Sequence, residues 1–327
     1  MGVKNIYNQI KFYINKYGFK KTIKKCANVL KNREFKKKEV AYGTFIDWVP
    51  FNELDNKRVD EQRKVKFKLN PKISIVVPMY NTPKKFFEEL VDCCIRQSYT
   101  NWELCLADGS PEENKELEKI YSKDERIKYK FLNENKGIAG NTNAAIEMAT
   151  GEYIALLDHD DILADYALYE VVYSLNKFPN SEFLYSDEDK IDENDNRYDA
   201  YFKPDFAPDT LRCQNYICHF SIFKKELMEK LNGFRDGCDG AQDYDIFLRM
   251  SEITKPENIT HIPKILYHWR VHSESTAKLN SNAKNYAFEA GKKAIATWAT
   301  GAILSWCGKS AVPGAGSLAG IPSAASI

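Results

Sequence analysis

The sequence has 327 residues, of which 43% are hydrophobic and 28% are charged, and its formal net charge at pH 7 is +1. This length allows one large domain or two modest ones, and the composition is that of a globular protein rather than a disordered or fibrous one. A net charge near zero argues against nucleic acid as a partner of the whole chain. No run of about eighteen apolar residues predicts a transmembrane helix.

Residues 1–70 are predicted to form a basic, helical N-terminal arm. Between residues 5 and 40, apolar side chains such as Ile6, Ile10 and Tyr17 recur at helical spacing, and lysines fill much of the rest. Such an arm either lies on an anionic membrane surface or packs on the main domain with a solvated basic face. The pattern favours neither alternative. The first would make the protein peripheral at the inner face of the cell membrane.

The cysteines and the start of the chain indicate a cytoplasmic location. The eight cysteines show no Cys-x-x-Cys pair and no regular spacing. This usage predicts reduced, mostly buried thiols rather than disulfides or a zinc site. The first residues lack the continuous apolar core of a signal peptide.

From residue 71 onward, strands alternate with helices. The predicted strands are "ISIVVPMYN", "WELCLAD", "IKYKFL" and the run that starts at Tyr153, and the predicted helices between them cover residues 83–97, 112–123 and 137–150. Alternation with helices of this length predicts βαβ units and a mainly parallel sheet. We assign residues 71–280 to this α/β domain.

The alternation loosens after Asp161. "EFLYSDEDKID" is predicted as a strand that runs into an acidic loop, "HFSIFKKELMEKLNGF" as a strand and a helix that stops at Gly233, "QDYDIFLRMSEI" as a helix and "HIPKILYHWRVH" as a long strand. Residues 281–327 are predicted as a C-terminal helix and a low-complexity tail. From about Ala296 onward Gly, Ala, Ser and Pro dominate, which indicates poor order.

An acidic cluster ends the apolar run "YIALL". Asp158, Asp160 and Asp161 follow within four positions, and because like charges repel, we expect a cation there. Ligands of open α/β sheets bind at the carboxyl ends of the strands, and carboxylates suit Mg²⁺ or Mn²⁺ shared with substrate phosphates. By itself, a short Asp-x-Asp is more often a solvated loop. Its position directly after an apolar strand favours a cation-binding site.

The segment "LYHWRVH" offers a possible cationic surface. If Leu266 to His272 form a strand, His268, Arg270 and His272 point to one face. Three such groups suit a diphosphate, and one neutral imidazole could complete a metal shell. The alternative is a hydrogen-bonded structural histidine.

Five motifs carry a resemblance to a known family. In chain order they are "IVVPMYN", "LADGS", "NKGIAGNTN", "LLDHDD" and "QDYDIFLR". The sequence resembles glycosyltransferase family 2 over roughly residues 71–280. The resemblance implies the GT-A fold, a Rossmann-like nucleotide-binding sheet that is mostly parallel and has helices on both faces. "YSDEDK", "FKPDFAPD" and "LYHWRVH" look like bacterial enzymes that build cell-surface polysaccharides of the rhamnan and O-antigen types.

The resemblance also implies roles for individual residues. The implied nucleotide-binding residues are Pro78, Tyr80, Asn81, Asp108, Asn135, Lys136, Gly137, Asn141 and Asp158. The implied Mn²⁺ or Mg²⁺ ligands are Asp158 and Asp160, to which we add His272. Asp243 matches the catalytic base, although a plain helix cap is the alternative. Donor and acceptor sugars are expected at Asp187, Asp189, Gln242, His268 and Arg270. Two positions depart from the pattern: Gln242 replaces the usual Glu, and Gly140 replaces a common Arg.

The implied activity is that of an inverting, metal-dependent hexosyl- or deoxyhexosyltransferase. Its partners would be a nucleotide-diphosphate sugar donor and a glycan or lipid-linked glycan acceptor. Two alternatives stay open at this point. Gln242 allows a non-catalytic binder of nucleotide sugars or glycans. A nucleotidyltransferase is less favoured because "PMYNTP" is not a Gly-rich activating loop.

Overall fold

A computed structural model describes residues 45, 49, 53–272 and 281–306. In this part of the chain the strands are β1 (Ile73–Met79), β2 (Trp102–Asp108), β3 (Ile127–Phe131), β4 (Tyr153–Leu156), β5 (Ile162–Leu163), β6 (Phe183–Ile191), β7 (Arg197–Tyr201), β8 (Ser221–Lys224) and β9 (Ile259–Arg270). The helices are α1 (Asn56–Gln62), α2 (Lys84–Ile95), α3 (Glu118–Tyr121), α4 (Gly137–Met148), α5 (Ala167–Lys177), α6 (Pro208–Cys213), α7 (Lys225–Leu231), α8 (Gln242–Ile253) and α9 (Ser281–Trp306). The helices predicted between residues 5 and 40 lie outside the described residues.

These strands form one mixed sheet in the order β3-β2-β1-β4-β8-β6-β9-β5, with β7 paired to β6. Strands β1 to β4 pair in parallel, and β6 pairs in parallel with β9. Strands β5, β7 and β8 run antiparallel to their neighbours. Six strands therefore share one direction, which confirms the mostly parallel sheet.

Helices cover both faces of the sheet because successive strand residues point to opposite sides. In β1, Ile75 and Val77 pack into a core with α2 and α5, whereas Val76 packs into a second core with α4, α8 and α9. Strands β1, β2 and β4 are buried on both faces, as expected for parallel strands between helical layers, whereas the edge strand β3 is more exposed. The α/β fold with helices on both faces is confirmed.

Two predicted helices differ in extent from the structure. The helix predicted for residues 112–123 is reduced to Glu118–Tyr121. The side-chain oxygen of Asn114 accepts a hydrogen bond from the Glu116 amide, a local turn that competes with helix formation. At the other end of the chain, α9 continues to Trp306, past the point where we predicted poor order. Its alanines favour helix, and Ala290 and Ala294 are buried in the second core.

The acidic part of "YSDEDKID" is strand rather than loop. Asp187, Glu188 and Asp189 lie inside β6, and all three are buried. The prediction of an acidic loop at a strand end was therefore wrong. Buried carboxylates need partners, and these come from distant segments.

Two further predictions concern thiols and membrane spans. The six cysteines within the described residues are free, as expected for a reduced chain. Among the helices described, none combines the length and apolar character needed to cross a bilayer.

Candidate active site

The acidic loop lies at the carboxyl end of β4, and it is fixed by strand β9, which pairs with β5 directly after the loop. The Asp158 amide donates a hydrogen bond of 3.3 Å to the Tyr267 hydroxyl. The Tyr267 hydroxyl donates to Asp161 Oδ2 at 2.5 Å, and the Arg270 amide donates to Asp161 Oδ1 at 2.7 Å. The loop is thus held by residues more than 100 positions away in sequence.

Burial makes these carboxylates costly to ionise. It raises the pKa of Asp161 well above the usual range, and the charges of Asp160 and Asp158 raise it further. Burial also raises the pKa of Asp158; His219 opposes this shift, while Asp160 and Asp243 add to it. A bound cation would relieve this cost.

Asp158, Asp161 and His219 form the one group of three potential metal ligands among the described residues. One ligand atom from each lies within 4.8 Å of the others. The His219 ring stacks on Tyr267, with 4.7 Å between ring centroids. Two carboxylates and an imidazole are suitable ligands for Mn²⁺.

The predicted ligands Asp160 and His272 pair with each other instead. His272 Nε2 lies 2.8 Å from Asp160 Oδ2, and the His272 ring lies 5.1 Å from that of Phe86. The predicted metal ligands therefore fall into two groups in the structure. Asp158 lies near Asp161 and His219, whereas Asp160 contacts His272.

The nucleotide-binding residues predicted on the first two strands do meet at one edge. The Asn81 amide donates to the Ser110 hydroxyl at 2.8 Å, and Pro78 belongs to the adjacent end of β1. Tyr80 is 43% exposed, so its ring is open to a ligand. Asp108 is buried and accepts hydrogen bonds from the Ser110 amide at 2.9 Å and from the Tyr129 hydroxyl at 2.8 Å.

Hydrogen bonds between backbone amides and asparagine side chains fix the loop between β3 and α4. Asn135 accepts a hydrogen bond from the Gly137 amide at 3.0 Å, and Asn141 accepts one from the Lys136 amide at 3.1 Å. Gly137 has a φ of +74°, and a Cβ there would lie 2.4 Å from an Asp239 carboxylate oxygen. Only glycine fits this position, where Asp239 also accepts from an amide of the first turn of α4.

Asp243 and Gln242 begin α8 beside the acidic loop. The side-chain amide of Asn215 donates to Asp243 Oδ2 at 2.7 Å, and the backbone amide of Tyr244 donates to Asp243 Oδ1 at 2.8 Å. Gln242 accepts from the Gly240 amide at 2.8 Å. Asn215 thus fixes the carboxylate that the sequence indicates as the base.

Asp187 and Asp189 are enclosed by protein groups. Asp187 accepts from the Lys203 amide at 2.9 Å and lies 2.9 Å from His261 Nε2. Asp189 is fully buried and contacts Arg197 and His268. Neither carboxylate presents surface to a sugar in this conformation, so their predicted contact with sugar hydroxyls has no support from this geometry.

His268 and Arg270 also have protein partners. His268 Nδ1 lies 2.6 Å from Asp189 Oδ1. The fully buried Arg270 donates to Glu89 at 2.6 Å, to Asp195 at 3.3 Å and to the Asp160 carbonyl at 2.8 Å. A sugar or diphosphate contact by either residue remains a prediction that would require these bonds to open. The alternate residues of β9, Tyr267 and Trp269, are the ones that face His219.

His219, Asn215 and the role of Tyr267 are not evident from the sequence. His219 and Asn215 lie in an irregular segment without a periodic pattern. The available signal was the presence of Gln214, Asn215 and His219 just before a short strand.

Comparison with known proteins places this arrangement in a family. Residues 74–231 match the family model described as Glycosyl transferase family 2. The chain is 44% identical over 228 residues to the uncharacterized protein y4gI of Sinorhizobium fredii, covering 69% of this chain and 25% of that protein. It is 29% identical over 272 residues to the O-antigen biosynthesis protein RfbC of Myxococcus xanthus, covering 82% and 21%. The chain thus spans a quarter or less of the length of these two relatives.

The fold has a counterpart among solved structures. S. aureus TarS 1-349 in complex with UDP-GlcNAc superposes with a TM-score of 0.57 at 17% identity, covering 69% of this chain and 66% of that one. At this identity the likeness concerns the fold alone. The match over residues 74–231 shows that this region of the chain belongs to glycosyl transferase family 2.

Proposed function

We propose that this chain is an inverting, metal-dependent glycosyltransferase. It moves a hexosyl or deoxyhexosyl unit from a nucleotide-diphosphate sugar to a growing cell-surface glycan. Residues 71–280 form the catalytic GT-A domain. The carrying observation is that ligand atoms of Asp158, Asp161 and His219 lie within 4.8 Å of one another at the carboxyl edge of the sheet, and that Asn215 joins Asp243 to the segment of His219.

Asp243 acts as the catalytic base. Inversion is a single displacement in which the acceptor oxygen bonds to the anomeric carbon as the bond to the diphosphate breaks. The acceptor hydroxyl must lose its proton, and Asp243 takes it. Each oxygen of Asp243 accepts one hydrogen bond, from Asn215 or from Tyr244. A carboxylate oxygen can accept two, so capacity for the proton remains.

The donor set fits Mn²⁺ or Mg²⁺. Asp158 would hold the ion with Asp161 and His219, or with Asp160 and His272. Burial raises the pKa values of Asp158 and Asp161, so a cation beside them would favour their ionised forms. When bound, the ion would stabilise the leaving diphosphate as a Lewis acid. The chain's own contribution is to orient the loop through Tyr267 and Arg270.

The nucleotide occupies the edge of the sheet formed by the loops that follow β1, β2 and β3. Tyr80 offers an exposed aromatic ring to the base. Asp108 receives the base, Pro78 and Asn81 line the pocket, and the ribose is bordered by Asn135, Lys136, Gly137 and Asn141. The name of the relative RfbC supports a cell-surface glycan as the product. A lipid-linked glycan at the inner membrane face is the proposed acceptor.

Thermal stability of the protein with Mn²⁺ and UDP, GDP, CDP or dTDP tests the site. A ligand that binds only the native state raises the melting temperature by mass action. We expect a Mn²⁺-dependent rise with one nucleotide, and its loss in Asp158→Asn. No rise with any nucleotide would overturn the proposed site.

Turnover separates an enzyme from a non-catalytic binder. With the nucleotide class known, release of nucleoside diphosphate from the matching sugar donor is measured with a glycan acceptor. Asp243→Asn should keep the thermal shift and lose at least roughly a hundredfold in turnover. A protein that retains the donor without releasing nucleoside diphosphate would be a binder.

A further inference from the structure

The segment of residues 64–69 crosses the outer surface of α5 and is fixed to it. The Leu69 amide donates to the Asn176 side-chain oxygen at 2.9 Å, and the Asn176 side-chain amide donates to the Leu69 carbonyl at 2.9 Å. The Phe67 ring lies 5.1 Å from that of Tyr169, which stacks on Tyr173 at 6.4 Å. The segment and the helix therefore present one surface.

Several large apolar side chains on this surface are exposed to solvent. Val65 is 44% exposed, Leu69 39%, Tyr173 51% and Phe178 47%. Single exposed apolar residues are common, whereas several on one surface mark an interaction site. An open cleft adjoins this surface at Lys68 and Leu69, but it is also lined by Glu152, Glu226 and Glu229 and so borders the surface rather than extending it.

Lysines surround these apolar side chains. Lys64, Lys66, Lys68 and Lys177 are exposed, and none of them pairs with a carboxylate of the described residues. The Lys177 ammonium lies 5.0 Å from the Phe178 ring. On α5, Glu170 is buried and pairs with Lys264. We call the four lysines with Val65, Leu69, Tyr173 and Phe178 the lysine–aromatic patch.

We propose that the lysine–aromatic patch docks onto an anionic lipid bilayer. Lysines place their charge among anionic headgroups while their stems lie along apolar surface, and aromatic rings sit at the headgroup level. Two other partners fit the patch less well. A second copy of the patch would bring like charges together, and a purely polar polyanion would make no contact with the apolar side chains.

The patch lies away from the candidate active site. Helix α5 starts six residues after Asp161 and runs for 11 residues, about 16 Å at the usual rise, to its end beside Leu69. A bilayer at the patch therefore leaves the carboxyl edge of the sheet open to the donor. Vesicle binding is independent of turnover, so the two proposals can fail separately.

The test is co-flotation of the full chain with phosphatidylcholine vesicles, with and without phosphatidylglycerol. We expect binding only when the anionic lipid is present. The triple variant Lys64→Glu, Lys66→Glu and Lys68→Glu should lose at least about tenfold in vesicle affinity. The matched control, Lys115→Glu, Lys119→Glu and Lys123→Glu, carries the same charge change on other exposed residues. Equal losses in both variants would overturn the proposal.

A second pair of variants tests the apolar part. Tyr173→Ser with Phe178→Ser should weaken vesicle binding at least about fivefold and leave binding to soluble polyphosphate unchanged. Ile253→Ser removes an equally exposed apolar residue from α8 and serves as control. If the double variant binds vesicles as the parent does, the contact is only electrostatic and the bilayer proposal fails. Melting temperatures verify that each variant is folded.

Discussion

The side-chain amide of Asn215 donates a 2.7 Å hydrogen bond to the carboxylate of Asp243. Asn215 also accepts from the Cys218 amide at 3.3 Å, so it links the proposed base to the segment that carries His219. This relationship gives the base an orientation that Gln242, bonded to Gly240, does not supply.

We expect Asn215→Ala to lower kcat by roughly tenfold to a hundredfold, because a misaligned base is a poor proton acceptor. The KM for the donor should stay within about twofold. Nucleoside diphosphate release under saturating donor is the measurement. Asn101→Ala, which removes a surface hydrogen bond to the Asn70 carbonyl, should change neither constant. A rise in donor KM with unchanged kcat would contradict a positioning role.

Ligand substitutions distinguish the two possible metal sets. If Asp158 acts with Asp161 and His219, then Asp161→Asn and His219→Ala should each weaken Mn²⁺ binding at least about tenfold. Asp160→Asn and His272→Ala should then have a smaller effect, and the reverse pattern would identify the other set. Titration of Mn²⁺ followed by electron paramagnetic resonance reports binding directly. Unchanged binding in all four variants would remove both sets.

Arg270→Lys should destabilise the fold by about 1–3 kcal/mol, because a lysine cannot reach Glu89, Asp195 and the Asp160 carbonyl together. Chemical denaturation measures this loss. Arg212→Lys is the control, since Arg212 is half exposed and its contacts, an ion pair with Asp209 and the Trp298 ring at 5.4 Å, can also be made by a lysine; it should cost less than about 0.5 kcal/mol. Similar losses in both variants would show that the three contacts of Arg270 add little.

Glu103 makes stability depend on pH. Burial alone would raise its pKa, but hydrogen bonds, first from Lys72 and then from Ser74 and Thr150, lower it well below the usual 4.5. The ionised form is therefore favoured in the native state. Its contribution is full above pH 4.5 and is lost as the pH falls toward the native pKa.

We expect Glu103→Gln to reduce the free energy of unfolding at pH 7 by about 2–3 kcal/mol. The difference from the parent should shrink as the pH falls below 4.5. Urea denaturation at both pH values measures it. Glu147→Gln, at an exposed ion pair with Lys130, is the control and should change little at either pH. A difference that stays constant on acidification would refute the ionic explanation.

The first half of the fold could be predicted because its signals are local. Buried β-rich runs and helical periodicity define β1 to β4 and the helices between them, and the carboxyl ends of parallel strands must meet. Pro78, Asn81, Asp108 and Asp158 were therefore placed on one edge from sequence alone. Their chemical roles rest on the resemblance and stay predictions.

The second half could not be predicted to the same degree because its contacts are distant in sequence. The sequence pattern assigns Asp189 to an acidic loop, because its partners Arg197 and His268 are brought against it only by the fold. On β9 the alternation was correct, but it could not reveal that Tyr267 and Trp269, rather than His268, share a face with His219. That choice depends on the strand order β8-β6-β9.

The support that Tyr267 and Arg270 give to the acidic loop also has a consequence for synthesis of the chain. The loop emerges from the ribosome about 100 residues before the strand that fixes it. Residues 74–231 contain every carboxylate of the loop but not β9. A polypeptide released after residue 231 would hold the acidic motif without its supports, so we expect the acidic loop to reach its final structure late, once the long-range pairing of β9 is complete.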